Sequence, residues 1–170
     1  MTAEPVSILF ADDGETPNNP SLPLLLYRGA VALDGPDPAA NFERLFALHG
    51  WSRGWRNGIF PFLHFHTRAH EVLGIARGSA RVEFGGAKGR EIDLVAGDVA
   101  VLPAGCGHRR VSASRDLLVV GAYPAGNDSA QQRPGSIDHA AALASIARTP
   151  LPQRDPVYGS DGPLVRLWKP

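Results

Sequence analysis

Gly58-Ile59-Phe60-Pro61-Phe62-Leu63-His64-Phe65-His66-Thr67-Arg68-Ala69-His70-Glu71-Val72-Leu73-Gly74-Ile75-Ala76-Arg77-Gly78 is the stretch whose reading decides the fold. His64 and His66 stand two apart on a predicted strand, so both side chains point to one face. Phe60 and Phe62 share that parity, which predicts an inward row of two aromatics and two imidazoles. Glu71 heads the next predicted strand, and a turn of about four residues can bring it back beside the histidine pair. Leu73 and Ile75 share its parity, so Glu71 also faces an apolar interior. A lone buried carboxylate is very costly. A divalent metal is the partner that accepts both neutral imidazole and carboxylate.

Further along, Gly97-Asp98-Val99-Ala100-Val101-Leu102-Pro103-Ala104-Gly105-Cys106-Gly107-His108 supplies a fourth donor. The predicted strand ends at Pro103, a glycine loop turns the chain, and His108 opens the next strand. Between Ile59 and Tyr123, short apolar runs alternate with glycine-rich breaks. They predict strands near 59–66, 71–77, 80–84, 91–94, 98–102, 108–112 and 117–123, an all-β sandwich or barrel. The 19 Gly and 15 Pro are spread along the chain, as many tight turns require. Gly85-Gly86-Ala87-Lys88-Gly89 lacks phosphate-loop spacing and is expected to be a hairpin loop.

The two quoted stretches resemble the two cupin motifs. The first, Gly-x5-His-x-His-x4-Glu-x6-Gly, is matched by Gly58, His64, His66, Glu71 and Gly78. The second, Gly-x5-Pro-x-Gly-x2-His-x3-Asn, is matched by Gly97, Pro103, Gly105 and His108, with Ser112 in place of Asn. Asp12-Asp13-Gly14, Pro17-Asn18-Asn19-Pro20, Trp55-Arg56-Asn57-Gly58, His70-Glu71-Val72-Leu73-Gly74 and Val120-Gly121-Ala122-Tyr123-Pro124 resemble a bacterial YjlB-like cupin family. The resemblance implies a cupin barrel, that is, a double-stranded β-helix or jelly roll, with a few flanking helices. It implies one divalent metal ion (Fe, Mn, Ni or Zn) on His64, His66, Glu71 and His108, the same four residues that geometry selects. It also implies paired barrels, hence a homodimer, and it implies no particular reaction.

The 170 residues are expected to form one domain, with a barrel core about 55–125 and N- and C-terminal decorations. Pro38 to His49 predicts a helix capped by Asp37 and stopped by Gly50, with Phe42, Leu45, Phe46 and His49 on one face. Asp138 is expected to cap a second helix, and Trp168 to dock on the core or on a partner chain. Trp51, Arg53 and Trp55 are assigned to a subunit interface. Arg110 shares parity with His108, so on a regular strand it faces the cavity as the candidate catalytic residue, an anchor for a substrate carboxylate. His70 points away from the metal, and Cys106 reads first as a small buried residue and second as a redox-sensitive thiol.

Seventeen basic and seventeen acidic residues cancel, which argues against nucleic acid as a partner. No apolar run reaches the roughly 18 residues of a membrane span. A single cysteine and a first segment without signal-peptide character suggest the cytoplasm. The expected function is that of a metal-dependent enzyme acting on a small organic molecule, oxygenase-type first and isomerase or lyase next. The alternative is a non-catalytic module that binds a metabolite or metal.

Overall fold

The computed structural model describes residues 2–127 and 130–169. Its strands are β1 (Val6–Ile8), β2 (Leu24–Tyr27), β3 (Trp51–Asn57), β4 (Phe65–His66), β5 (Glu71–Arg77), β6 (Ser79–Phe84), β7 (Arg90–Val95), β8 (Val99–Leu102), β9 (His108–Ala113), β10 (Leu118–Pro124) and β11 (Gln131–Gln132). Its helices are α1 (Pro38–Leu48), α2 (His139–Ala147) and α3 (Pro163–Leu167). Among the described residues one sheet runs β1-β2-β8-β5-β10-β3, a second β7-β6-β9 and a third β11-β4, and an isolated bridge between His64 and His108 joins the last two. Consecutive strands cross from one sheet to the other, β5 to β6 and β9 to β10, as a jelly-roll barrel requires.

Side-chain alternation on β5 separates two apolar layers. Leu73 and Ile75 point inward, with Val82, Phe84, Leu94 and Leu102. Val72 and Ala76 point outward, against Phe42 and Phe46 of α1 and against Leu164 and Trp168 near the C-terminal end. Between them Gly74 lets α1 approach, because a Cβ there would lie 2.3 Å from the Phe42 ring. The flanking segments are therefore part of the barrel's outer cover. Trp168 is buried and its indole N–H donates to the Pro23 carbonyl at 2.9 Å. The Asp138 carboxylate caps α2 by accepting from the Ala141 N–H.

Two expectations require correction. Asp37 does not cap α1 with its side chain, because the Arg56 guanidinium holds its carboxylate at 2.9–3.0 Å. The strand expected over 59–66 shrinks to Phe65–His66, since Pro61 offers no N–H to a ladder. The stretch Trp51–Asn57 is strand β3, and Trp51 is buried in the outer layer of its own chain. Its register against β10 shifts between Gly121 and Tyr123, and Arg53 takes a positive φ of 54°. That bulge reverses the facing of the strand. Trp51 points outward and Trp55, four residues later, points into the barrel.

Candidate metal centre and cavity

The strand of the first motif and the loop of the second meet at their own histidines. The His64 N–H donates to the His108 carbonyl at 3.2 Å, and the His108 N–H returns to the His64 carbonyl at 2.9 Å. The loop between Pro103 and His108 is pinned from beneath. Gly105 N–H donates to the His66 carbonyl at 2.7 Å, Gly107 N–H to the Asn18 side chain at 3.1 Å, and the Asn19 amide to the Ala104 carbonyl at 3.0 Å. Asn18 and Asn19 appear in the sequence only as part of a family resemblance. Their structural task is to hold the loop that delivers His108.

All four predicted donors are buried and converge at the floor of one cavity of about 380 Å³. The His64 and His108 ring centroids lie 4.0 Å apart, and the His66 ring is 6.2 and 6.3 Å from them. Glu71 reaches between two rings, 3.3 Å from His66 Nε2 and 3.4 Å from His108 Nε2. Among the described residues no group of three or more His, Cys, Asp or Glu has the spacing of a formed metal shell.

The hydrogen bonds of the ring nitrogens determine what the cluster can hold. His64 Nδ1 lies 2.9 Å from the Phe62 carbonyl, and His108 Nδ1 lies 3.0 Å from the Cys106 carbonyl. A carbonyl only accepts, so each Nδ1 carries a proton, and in the neutral ring Nε2 presents a lone pair. At His108 that lone pair faces a carboxylate oxygen. Two acceptors in contact need a proton or a metal ion between them. Burial pushes the His64 pKa down to about 3, with the neighbouring His108 charge adding to the shift, so His64 stays neutral at ordinary pH. The set consists of His64 and His108 anchored with Nε2 inward, a third imidazole on His66 and the Glu71 carboxyl, the donor chemistry that suits a borderline divalent ion.

Arg110 lines the same cavity, with Trp55, Phe60, Tyr123 and Gln131. Sequence parity placed Arg110 there. Trp55, Tyr123 and Gln131 were not legible as cavity residues, because the bulge on β3 and the pairing of β11 with β4 bring them in. Phe60 and Phe62 form a rim rather than an inward row. Their rings stack at 4.7 Å, both meet His64 edge to face, and the Arg133 guanidinium lies 3.7 Å over Phe62. Ser112 is exposed, past a register shift on β9.

His70 and Cys106 lie outside this chemistry. His70 accepts from the Ala104 N–H at 2.9 Å through Nδ1 and donates to the Pro150 carbonyl at 3.1 Å through Nε2. It packs against Trp168, on the outward side of the sheet, and burial pushes its pKa down to about 4. Cys106 is buried, and burial pushes its thiol up to about 12, which removes the thiolate a redox role needs.

Residues 54–153 match a family model described as Cupin. The chain is 38% identical over 168 residues to the uncharacterized protein YjlB of Bacillus subtilis (strain 168), covering 99% of each. Among solved structures it is similar to a TDP-quinovose 3,4-ketoisomerase from Campylobacter jejuni (16% identity, 55% of this chain and 75% of that one, TM-score 0.43). It is also similar to a mutant of Bacillus subtilis oxalate decarboxylase (20% identity, 65% of this chain and 27% of that one, TM-score 0.40). It spans 22% of an 11S globulin from Wrightia tinctoria, at 17% identity over 47% of this chain and a TM-score of 0.39.

Proposed function

This chain belongs to the cupin family, and on that premise we propose that it is a metal-dependent enzyme whose His64, His66, Glu71 and His108 hold one divalent ion, Fe, Mn, Ni or Zn. Its substrate is a small organic molecule bound in the cavity above them. Oxygenase chemistry is the first reaction class, with isomerase or lyase chemistry next. The observation that supports the reading is the acceptor-on-acceptor contact of His108 Nε2 with Glu71 at 3.4 Å, with the His108 and His64 Nδ1 protons already committed to backbone carbonyls.

The bound ion supplies Lewis acidity and coordination positions for substrate or oxygen. The protein's own groups do the rest. Phe62 and Cys106 carbonyls fix the ring orientations, the stacked Phe60 and Phe62 limit water at the rim, and Arg110 anchors substrate. Elemental analysis of the purified protein is the first test: one equivalent of a divalent metal, lost in His64→Ala, is expected. Turnover of a small-molecule panel by the loaded protein, absent in the same variant, is the second. Metal and ligand binding without turnover would reassign the protein as a binding module. The working unit we propose is a one-domain chain paired as a homodimer, and light scattering that gives the monomer mass at micromolar concentration would refute the pairing.

A further inference from the structure

The wall of the cavity is chemically lopsided. Arg110 stands on β9, half-buried, and among the described residues its side chain makes no hydrogen bond or ion pair. Its chain neighbour Arg109 turns the other way and pairs with Glu83 at 2.9 Å. Arg28, Arg56, Arg81 and Arg166 likewise hold carboxylates. Glu71 is the one carboxylate in the cavity lining, and it is already engaged by two imidazoles. A guanidinium drawn partly out of water, with no protein anion to meet, presents a planar fork of donors to whatever enters.

Opposing it is an aromatic surface. Trp55 and Tyr123 are locked together by an indole N–H to phenol oxygen bond of 3.0 Å. The indole lies against Gly121, where a Cβ would stand 2.2 Å from its ring, so no larger residue leaves room for it. Phe60 lies on the Arg110 side, its carbonyl accepting the Arg110 N–H at 2.9 Å, and Leu73 and Ile59 close the depth. Flat, rigid, apolar faces favour a flat apolar partner. The cavity of about 380 Å³ admits a single-ring compound with a small substituent.

We propose that the substrate is a small aromatic carboxylate, its carboxylate on Arg110 and its ring between Trp55, Tyr123 and Phe60. This rests on the reading of the cavity as the substrate site. The test uses the full chain, metal-loaded and chelator-treated, titrated with benzoate, benzamide, acetate and phenyl phosphate. Tryptophan emission reports binding, because Trp51 and Trp168 lie in the outer layer and Trp55 alone of the three lines the cavity. Benzoate is expected to bind at least tenfold more tightly than each of the other three. Arg110→Gln is expected to weaken benzoate at least tenfold and to leave benzamide unmoved, and Arg110→Lys to fall between. Arg110 has no protein partner to lose, so neither variant endangers the fold.

Equal affinity for benzamide and benzoate, a preference for phenyl phosphate, or an unchanged benzoate affinity in Arg110→Gln would overturn the proposal. Metal content is measured on the same samples. A full metal complement with no benzoate preference sinks this inference and leaves the metal reading intact. A preference kept in the chelator-treated protein supports this inference, and protein that takes up no divalent metal yet keeps the preference counts against the metal reading alone.

Discussion

Asp155 and Glu71 are both buried carboxylates, and they are served in opposite ways. Asp155 lies in the outer layer, where it accepts from the Val157, Tyr158 and Leu164 N–H groups at 2.8–3.0 Å and from the Tyr27 hydroxyl. Burial, with Asp155 adding to it, pushes the Tyr27 phenol far up, so it stays a donor. Both of its oxygens are satisfied by fixed donors, and they tie the C-terminal segment to β2. Glu71 lies on the inner face. It meets two imidazole Nε2 atoms at 3.3 and 3.4 Å, and among the described residues no backbone amide donates to it. The contrast separates a carboxylate that completes a fold from one whose shell, on the proposed reading, is completed by an ion.

The strongest way to break the contrast is Asp155→Ala. It strands three backbone N–H groups and a phenol in a dry layer, so a loss of about 4 kcal/mol is expected by chemical denaturation, with or without metal. If the loss is below about 1 kcal/mol, the outer layer is not the tie described.

His70 extends the same outer layer and gives it a pH signature. Its folded pKa of about 4 lies below the ordinary value of 6.5, so the unfolded chain takes up a proton that the folded chain refuses. Stability is therefore whole above pH 6.5, falls as pH drops through the window from 6.5 to about 4, and levels off below it for this group. The window amounts to about 3 kcal/mol. Urea melts across that range, with His70→Gln as the comparison, should show the slope diminished in the variant.

Glu71→Gln probes the inner carboxylate. A metal at a hundredfold excess over its Kd stabilises the native protein by about 2.7 kcal/mol. The melting temperature of the wild type is expected to fall on chelation by a corresponding amount, and that of Glu71→Gln to be insensitive to metal. An equal response in both proteins would remove Glu71 from the shell. The smallest effect concerns Cys106: its buried thiol, held up near 12, is expected to resist iodoacetamide in the native protein and to react on unfolding, as followed by mass spectrometry.

Most of the inner face was legible because strand parity is local. His64 with His66, and Glu71 with Leu73 and Ile75, could be assigned to one side from spacing alone, and the structure puts them there. Phe60 and Phe62 broke the same rule because Pro61 interrupts the strand. Trp55 escaped it because a bulge at Arg53 changes the face between two tryptophans of equal parity. The outer carboxylate escaped altogether: Asp155 lies in a proline-rich tail without periodicity, and its donors come from Tyr27 and from around the start of α3.

Residue order was enough to choose the barrel and to bring His64, His66, Glu71 and His108 to one cavity, since both follow from alternation and turn chemistry between near neighbours. Which aromatics face Arg110, and whether a buried carboxylate finds donors, were settled by contacts between residues 68 and 128 positions apart in the chain. Spacing cannot express those contacts, because they depend on how one strand's bulge or one segment's donors meet a distant partner.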